Sequence, residues 1–368
     1  MSEIRDPSEK LLDDDALLEK MGYSPTLYRG LGAFMNFAFG FTEVAVLASV
    51  VITYGFGLGT GGPRSIIWGF LLNFFMTIFI AFSMAEICAA YPSAGSVYHW
   101  AGQLAPEKWA PLAAYITGWT NFLGNAAGDA SFANGFATFM SSAMVASGYS
   151  KDGFWTSNGM QVAVSIVVLL VWSLLNCVRI DQVGWVNAVA AGVQVASLVI
   201  IVVVLLVLSP RLATANYVFF DYYNDTGFPS QTYVTVLGMT AALFSFSGYE
   251  ASAHMAEETS NSSESAPNGI IYTVFATGIG GVALLLGLLF ASTNIPVALS
   301  DDDTNTPSAD TGNAAVNVFI LATGPRWGET LAWMVVVNLF FAGVASVTVT
   351  GEYEIVLCPA LCSLILFC

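Results

Sequence analysis

The chain has 368 residues, of which 56% are hydrophobic and only 10% charged, and its mean hydropathy is +0.69. This composition is typical of polytopic membrane proteins and excludes an ordinary soluble domain. The net charge of −16 argues against nucleic acid or anionic lipid headgroups as partners. Two histidines and five cysteines show no metal-ligand spacing, and no hydrolase or nucleotide-binding motif is present. The sequence therefore predicts no metal, no cofactor and no enzyme activity.

Apolar runs of about 20 residues recur along the chain, and a run of that length spans a bilayer as a helix. Residues 1–28 are polar and acidic without a signal-peptide pattern, which predicts a cytosolic N-terminal tail. The pattern predicts an all-α polytopic membrane protein with about eight spans. They lie near 32–54, 66–89, 111–145, 160–177, 183–208, 236–261, 270–293 and 328–350.

The sixth span is the least regular, because polar residues interrupt its apolar run at Ser245, Ser247, Gly248, Tyr249 and Glu250. Glycine costs about 1 kcal/mol in a helix interior. A carboxylate at bilayer depth costs about 3 kcal/mol on insertion scales. Such a cluster is tolerated where a membrane helix unwinds beside a cavity. We therefore expect an interrupted helix at this position.

Two other spans carry polar groups in apolar surroundings. Glu43 lies in the first span, either as a hydrogen-bonded structural acid or as a functional group. Asn121, Asn125 and Asp129 recur every fourth residue of the third span and share one helical face. That face is expected either to pack against another helix, helped by the Gly124–Gly128 pair, or to line a cavity.

The polar loop at 209–230, predicted to be extracellular or lumenal, contains the glycosylation sequon Asn224-Asp-Thr226. A second sequon begins at Asn261. Counting the predicted spans from a cytosolic amino terminus places Asn224 outside and Asn261 inside. The distribution of Lys and Arg supports this orientation weakly.

Two long segments carry a family resemblance. One runs from Met84 to Tyr98 (MAEICAAYPSAGSVY), and the other from Gly248 to Thr259 (GYEASAHMAEET), followed by PNGII at 267–271. They resemble the amino acid–polyamine–organocation (APC) superfamily, in particular its amino-acid/choline and GABA permease branch. The resemblance covers about residues 31–350.

The resemblance implies a LeuT-like five-plus-five inverted repeat with broken helices 1 and 6. Its first repeat would occupy 29–208, and a partial second repeat 231–350. The substrate would bind near the membrane midplane between the two breaks. The substrate-binding residues implied are Phe41, Thr42, Ala45, Asn125, Phe246, Ser247, Gly248, Tyr249, Glu250 and Ser252. The first break lacks the glycine-rich element of many superfamily members, which leaves the substrate open.

The function expected from this resemblance is secondary active transport of amino acids or related amines, such as GABA or choline, by alternating access. Protons are the expected coupling ion, with Glu43, Asp129 and Glu250 as candidate relays. We expect a multi-pass protein of the plasma membrane or of a vacuolar or endosomal membrane.

The last residues depart from the family pattern. Beyond Thr350 the family continues into further spans, whereas residues 351–368 form a divergent tail with a short apolar run. The sequence is therefore expected to be a C-terminally truncated permease. The alternative is a non-transporting sensor or assembly partner of the full-length permease.

Overall fold

The computed structural model describes residues 29–149, 154–177, 180–293, 295–299 and 311–366. The predicted tail at 1–28 lies outside this part of the chain. Within the described residues the protein is helical, with two isolated β-bridges and no named strand. In chain order the helices are α1 Ala33–Val44, α2 Val46–Gly59, α3 Gly62–Ala90, α4 Ser96–Leu104, α5 Ala110–Ala146, α6 Asn158–Leu175, α7 Ile180–Leu208, α8 Ala215–Phe220, α9 Gln231–Phe244, α10 Ala251–His254, α11 Ser262–Ala291, α12 Ile295–Leu299, α13 Ala314–Thr323 and α14 Pro325–Leu366.

Six segments in the described part of the chain are long and apolar enough to cross a membrane. They are Ala33–Gly59, Gly62–Ala90, Asn158–Leu175, Gln182–Leu208, Ser262–Ala291 and Pro325–Gly351. These correspond to six of the eight predicted spans. The third predicted span is the continuous 37-residue helix α5, which is more polar, and the sixth is divided into α9 and α10. The prediction of an all-helical membrane protein is confirmed.

The pair α1–α2 forms the centre of the bundle. Helix α1 packs against α7 and α11, and α9 packs against α2 and α3. Phe39 and Leu47 are fully buried on this pair, whereas Leu170 and Leu174 of α6 are among the most exposed apolar side chains. A helix that is apolar on all sides belongs in the interior of a bundle or against lipid. The first span therefore occupies the interior, and α6 presents an apolar face for lipid.

Both helices that were expected to break are interrupted. Ala45 separates α1 from α2 with a left-handed backbone (φ 45°, ψ 57°), a conformation uncommon for a residue with a Cβ atom. Residues 245–250 form turns between α9 and α10. The two interruptions lie side by side, because Gly248 approaches Glu43 closely. The inverted repeat itself stays a prediction.

The two isolated bridges mark opposite ends of the bundle. Leu31 pairs with Thr259 at what we call the Leu31 end, and Thr60 pairs with Asn224 at the Thr60 end. Asn224 is exposed, and its amide oxygen accepts hydrogen bonds from Thr226 N (3.0 Å) and Thr226 Oγ1 (2.7 Å). The second sequon, at Asn261, lies at the Leu31 end. The two sequons therefore cannot both face the compartment where glycans are attached.

We predict that Asn224 is glycosylated in a eukaryotic membrane and that Asn261 is not, because only the Thr60 end should face the lumen. Asn224→Gln should abolish the mobility shift that a glycosidase removes, and Asn261→Gln should leave it unchanged. Thr226→Ser keeps the sequon and should retain the glycan, whereas Thr226→Val should lose it. A glycan on Asn261 and none on Asn224 would show that the Leu31 end, and not the Thr60 end, faces the lumen.

Candidate functional site

The site begins with the interruption between α9 and α10. The amides of Ser245, Phe246 and Ser247 bond to carbonyls three residues earlier, so the α-helix tightens into turns before it ends. Gly248 has φ +90°, and the amide of Ala251 donates to its carbonyl at 3.0 Å as α10 begins. A left-handed residue stops an α-helix, and glycine adopts that conformation without a Cβ penalty. Gly248 therefore determines where the helix unwinds.

Gly248 also allows close contact with the first interruption. A Cβ atom placed on it would lie 2.8 Å from Cγ of Glu43. The residue thus meets two requirements, a positive φ and room for the Glu43 side chain. On its other side, the Glu250 carboxylate turns back toward the backbone N–H groups of Gly248 and of Glu250 itself. Two carboxylates consequently flank one exposed turn of backbone.

A cavity of about 720 Å³ lies beside this turn. It extends along α5 and reaches Val97 of α4, which places one of its limits toward the Leu31 end. Its lining consists of Glu43, Val97, Ile116, Thr117, Thr120, Asn121, Gly124, Asn125, Ala127, Gly128, Ser131, Phe132, Phe244, Ser247, Gly248 and Glu250. A few convergent polar groups in a concave, largely apolar pocket are typical of small-molecule sites.

The cavity is acidic, and the described residues that line it include no basic group. Glu43 and Glu250 face it directly, and Asp129 lies behind Glu43, close enough for these carboxylates to repel one another. Ser346 of α14 donates a hydrogen bond to Asp129 Oδ1 and also lies within reach of Glu43. The Oε2 atom of Glu43 is buried without a hydrogen-bond partner in the described part of the chain. The structure therefore concentrates negative charge around one cavity.

The structure brings five of the predicted site residues to the cavity wall and turns the others away. Asn125, Ser247, Gly248, Glu250 and the predicted relay Glu43 line it. Asp129 does not, although it is electrostatically coupled to Glu43.

The remaining predicted binding residues, at 41, 42, 45, 246, 249 and 252, pack elsewhere. Phe41 stacks on Phe37 and Phe246 on Phe74, with ring centroids 5.6 and 5.9 Å apart. The Thr42 hydroxyl donates to the Asn187 carbonyl at 3.3 Å.

Ala45 is buried at the helix interruption, and the Tyr249 hydroxyl donates to Met84 Sδ at 3.3 Å. The Ser252 hydroxyl donates to the Asn36 carbonyl at 3.4 Å. None of these six residues is among those that line the cavity, and their assignment to substrate binding stays a prediction. They hold the interrupted segments in place through packing and local hydrogen bonds.

The polar face of α5 lines the cavity at Asn121 and Asn125, whereas its third member, Asp129, bonds to Ser346 of α14. The Asn125 side chain donates to Asn121 Oδ1 at 3.0 Å, and nothing lies within 4 Å of a Cβ atom placed on Gly124 or Gly128. Of the two interpretations of this polar stripe, lining a cavity describes Asn121 and Asn125, and contact with another helix describes Asp129. Thr117, Thr120 and Ser131 join the same wall. Sequence reasoning missed them, although their spacing of three and eleven residues matches the helical period.

A separate hydrogen-bond network ties the start of α1 to α10 at the Leu31 end. The amide of Leu31 donates to the Glu258 carbonyl at 3.0 Å, and Asn36 Nδ2 donates to the Ser252 carbonyl (2.8 Å) and to Thr259 Oγ1 (2.9 Å). A Cβ atom on Gly40 would lie 2.6 Å from Ser252 Oγ. The segment that follows the second interruption is therefore held directly against α1.

Glu257 extends this network to the connection between α3 and α4. Its Oε1 accepts a hydrogen bond from the amide of Ala94 at 2.9 Å. Burial raises the pKa of the Glu257 carboxyl, while the Ala94 amide and the Arg29 guanidinium act in the opposite direction. The fold therefore depends on Glu257 as a hydrogen-bond acceptor more than as a charge.

Gly248→Ala should destabilise the protein, because the left-handed backbone alone costs a non-glycine residue about 1–2 kcal/mol. The contact with Glu43 adds a further steric cost. Thermal unfolding in detergent should show a lower Tm. Gly124→Ala is the matched control, since it has free space and a helical backbone, and Ala is favoured over Gly in helices by about 1 kcal/mol. Equal Tm values for the two variants would contradict the assigned role of Gly248.

Glu257→Ala should lower the free energy of unfolding by about 1–3 kcal/mol, because the buried Ala94 amide loses its acceptor. Glu257→Gln keeps an acceptor oxygen and should be at least as stable as the wild type at neutral pH. Because the pKa is raised in the fold, ionisation of Glu257 opposes folding above the ordinary carboxyl pKa of about 4.3. Any advantage of Gln should therefore disappear as the pH falls below that value. A Gln variant as unstable as the Ala variant would show that the charge is required.

Comparison with known proteins agrees with this architecture. The family model for "Amino acid permease" matches residues 31–353. Amino-acid permease BAT1 of Arabidopsis thaliana is 33% identical over 340 residues, which cover 90% of this chain and 65% of the relative. Its homolog in Oryza sativa is 32% identical over 343 residues, with the same coverage of both chains. The GABA-specific permease of Saccharomyces cerevisiae is 25% identical over 354 residues, which are 94% of this chain and 59% of the relative.

The chain thus spans about two thirds of the length of the plant relatives and less of the yeast one. The family model covers most of the sequence, including both interruptions and the polar face of α5. With its apolar helices, this makes the chain a multi-pass integral membrane protein. It belongs to the amino acid permease family.

Proposed function

We propose that this protein is a secondary active transporter, and not an enzyme, that carries amino acids or related amines across a membrane. The observation that supports this most strongly is the acidic cavity beside the two interrupted helices. Membership of the amino acid permease family supports the same class of substrate. The chain spans 65% of the length of its plant relatives, and transport by a whole permease is therefore proposed for this chain.

The charges of the cavity fit a substrate that carries an ammonium group. Glu250 and Glu43 flank the exposed turn at Gly248, and the cavity lining offers no basic side chain to balance them. An ammonium ion between these carboxylates would relieve their mutual repulsion. The substrate carboxylate would lie toward the N-terminus of α2, where unpaired N–H groups favour negative charge. GABA, other amino acids and choline remain candidates.

Proton coupling follows from the same carboxylates. The chain carries no nucleotide-binding motif, so an ion gradient is the energy source that the proposal requires. A proton on one of Glu43, Asp129 or Glu250 would reduce the repulsion among them, as an ammonium group would. Substrate and proton would therefore bind to one electrostatic site. Ser346 couples that site to α14, because it contacts both Asp129 and Glu43.

Alternating access would use the interruptions as hinges. Residues at the ends of helical elements absorb changes in φ and ψ when domains move. Ala45 and Gly248 are such residues. To move away from α10, α1 would have to break the hydrogen bonds that Leu31 and Asn36 donate.

The second candidate is a non-transporting sensor or an assembly partner of a longer permease. The observation that favours it is the same acidic cavity, which can bind a ligand whether or not the protein cycles. Such a protein would bind the substrate at the same cavity but would not cycle. Binding without flux distinguishes this candidate from a transporter.

Glu250→Gln should reduce uptake of radiolabelled amino acid or choline into proteoliposomes at least tenfold, since losing one close charge partner costs more than about 1.4 kcal/mol. Glu86→Gln is the matched control, because Glu86 is an exposed carboxylate on α3 that does not line the cavity. Substrate-induced thermal stabilisation should be lost in the Glu250 variant only. Uptake that is equal in both variants would overturn the proposed site, and stabilisation without uptake would favour the sensor.

A further inference from the structure

A row of buried hydroxyl groups leads from the Thr60 end toward the acidic cavity. At the outer limit of this row is a second cavity of about 280 Å³, at the C-terminal end of α11. Its wall contains the hydroxyl side chain of Ser292 and the side chain of Arg211, along with apolar residues of α13. Ser292 is only 3% exposed, and its Oγ has no hydrogen-bond partner among the described residues.

Two phenol groups lie next to Ser292. The hydroxyls of Tyr54 and Tyr217 are both buried, and each is close to the Ser292 side chain and to the other phenol. Neither phenol oxygen has a partner of hydrogen-bonding geometry in the part of the chain that the structure describes. Among the described residues, the charged groups found near this cluster are Asp221, beside Tyr217, and Arg211 in the outer cavity.

Three adjacent buried hydroxyls that lie near one another without completing hydrogen bonds of regular geometry are unusual, because buried polar groups in proteins are nearly always hydrogen-bonded. The usual partner in such a place is an ordered water molecule, which makes two to four hydrogen bonds to groups of this kind. Ser292, Tyr54 and Tyr217 together offer that number of bonds. The cluster therefore has the composition of a water site and not of an apolar void.

The row continues inward on the other side of Tyr54. Tyr54 also lines a small cavity of about 20 Å³, together with Thr53 and Ser245. That volume is sufficient for one water molecule, which needs about 10–15 Å³ by this measure. Ser245 is 1% exposed, and its Oγ also lacks a partner within the described residues.

Ser245 belongs to the interruption that borders the acidic cavity. Phe244 before it and Ser247 after it both line that cavity, as does Glu250. These buried hydroxyls are thus arranged in a row that leads from Ser292 through Tyr54 to Ser245. The wide cavity itself extends the other way, toward Val97 at the Leu31 end.

We propose that bound water molecules join these hydroxyls into a hydrogen-bonded file that carries protons between the Thr60 end and the carboxylates of the acidic cavity. The file is too narrow for an amino acid. A proton enters from water at the outer cavity, passes along the hydroxyls and waters, and neutralises Glu250 or Glu43. The proton-carrying part of this inference rests on the proposed proton-coupled transport, whereas the presence of the water does not.

The water file is tested first without transport. X-ray radiolysis of bound water produces hydroxyl radicals that oxidise adjacent side chains. Tyr54 of the 368-residue protein should therefore be modified several-fold faster than Phe39 and Phe139, whose side chains are at most 1% exposed, compared with 2% for Tyr54, and lie in the apolar core. Ser292→Ala should slow the modification of Tyr54. Modification of Tyr54 no faster than that of Phe39 would overturn the proposal.

The proton route is tested with variants that remove one hydroxyl each. Tyr54→Phe and Ser292→Ala should slow substrate-dependent acidification of proteoliposomes several-fold, while substrate-induced thermal stabilisation stays at the wild-type level. Thr277→Val is the matched control, because its buried hydroxyl on α11 also lacks a partner among the described residues but lines none of these cavities.

Each result has a distinct meaning. Acidification that is unchanged in Tyr54→Phe, or slowed equally in Thr277→Val, would overturn the proton route. If the wild-type protein binds substrate but moves no protons, both the proposed coupling and the proton route are overturned. The radiolysis experiment would then be the only test of the bound water molecules.

Discussion

The contact between Gly248 and the Glu43 side chain is the constraint on which the rest of the site depends. It joins the two interrupted helices close to Ala45 and Gly248, where the backbone of each has a positive φ. In a membrane, unpaired backbone groups are tolerated only against protein or a water-filled cavity. The α5 face supplies that cavity with threonine, asparagine and glycine in place of bulky apolar residues. The polar stripe of α5 and the unwound turn of the sixth span thus border the same cavity, which lowers the cost of unpaired backbone groups in the membrane.

Much of this arrangement could be predicted from the sequence, because glycine and a carboxylate inside an apolar run violate local rules in a recognisable way. The interruption after Phe244 is the example. The interruption at Ala45 was harder to place, since alanine has the highest helix propensity and its left-handed backbone depends on surrounding contacts. The resemblance implies a break in the first helix, but no local feature of the sequence indicates the residue at which it lies.

The direction of individual side chains could not be predicted where the helix ends. Within α5 the period of 3.6 residues places Asn121 and Asn125 on one face, and both line the cavity. Beyond Ser245 the chain forms turns, so sequence spacing no longer fixes direction. Phe246 consequently points into an aromatic cluster, while its neighbour Ser247 lines the cavity. Tertiary packing decides which residues of a broken helix can meet a ligand.

The unbalanced acids connect stability with function. Isolated buried charges cost several kcal/mol, and here the described lining offers no basic side chain to compensate Glu43 and Glu250. In the proposed transporter, a proton or an ammonium group at these carboxylates would relieve their mutual repulsion, and the ligand would gain affinity from that relief. Because Ser346 bonds to Asp129 and lies near Glu43, the same change in charge alters how α14 packs on α1 and α5. In the proposed transporter, neutralising these carboxylates would in this way affect α14 as well as α1 and α5.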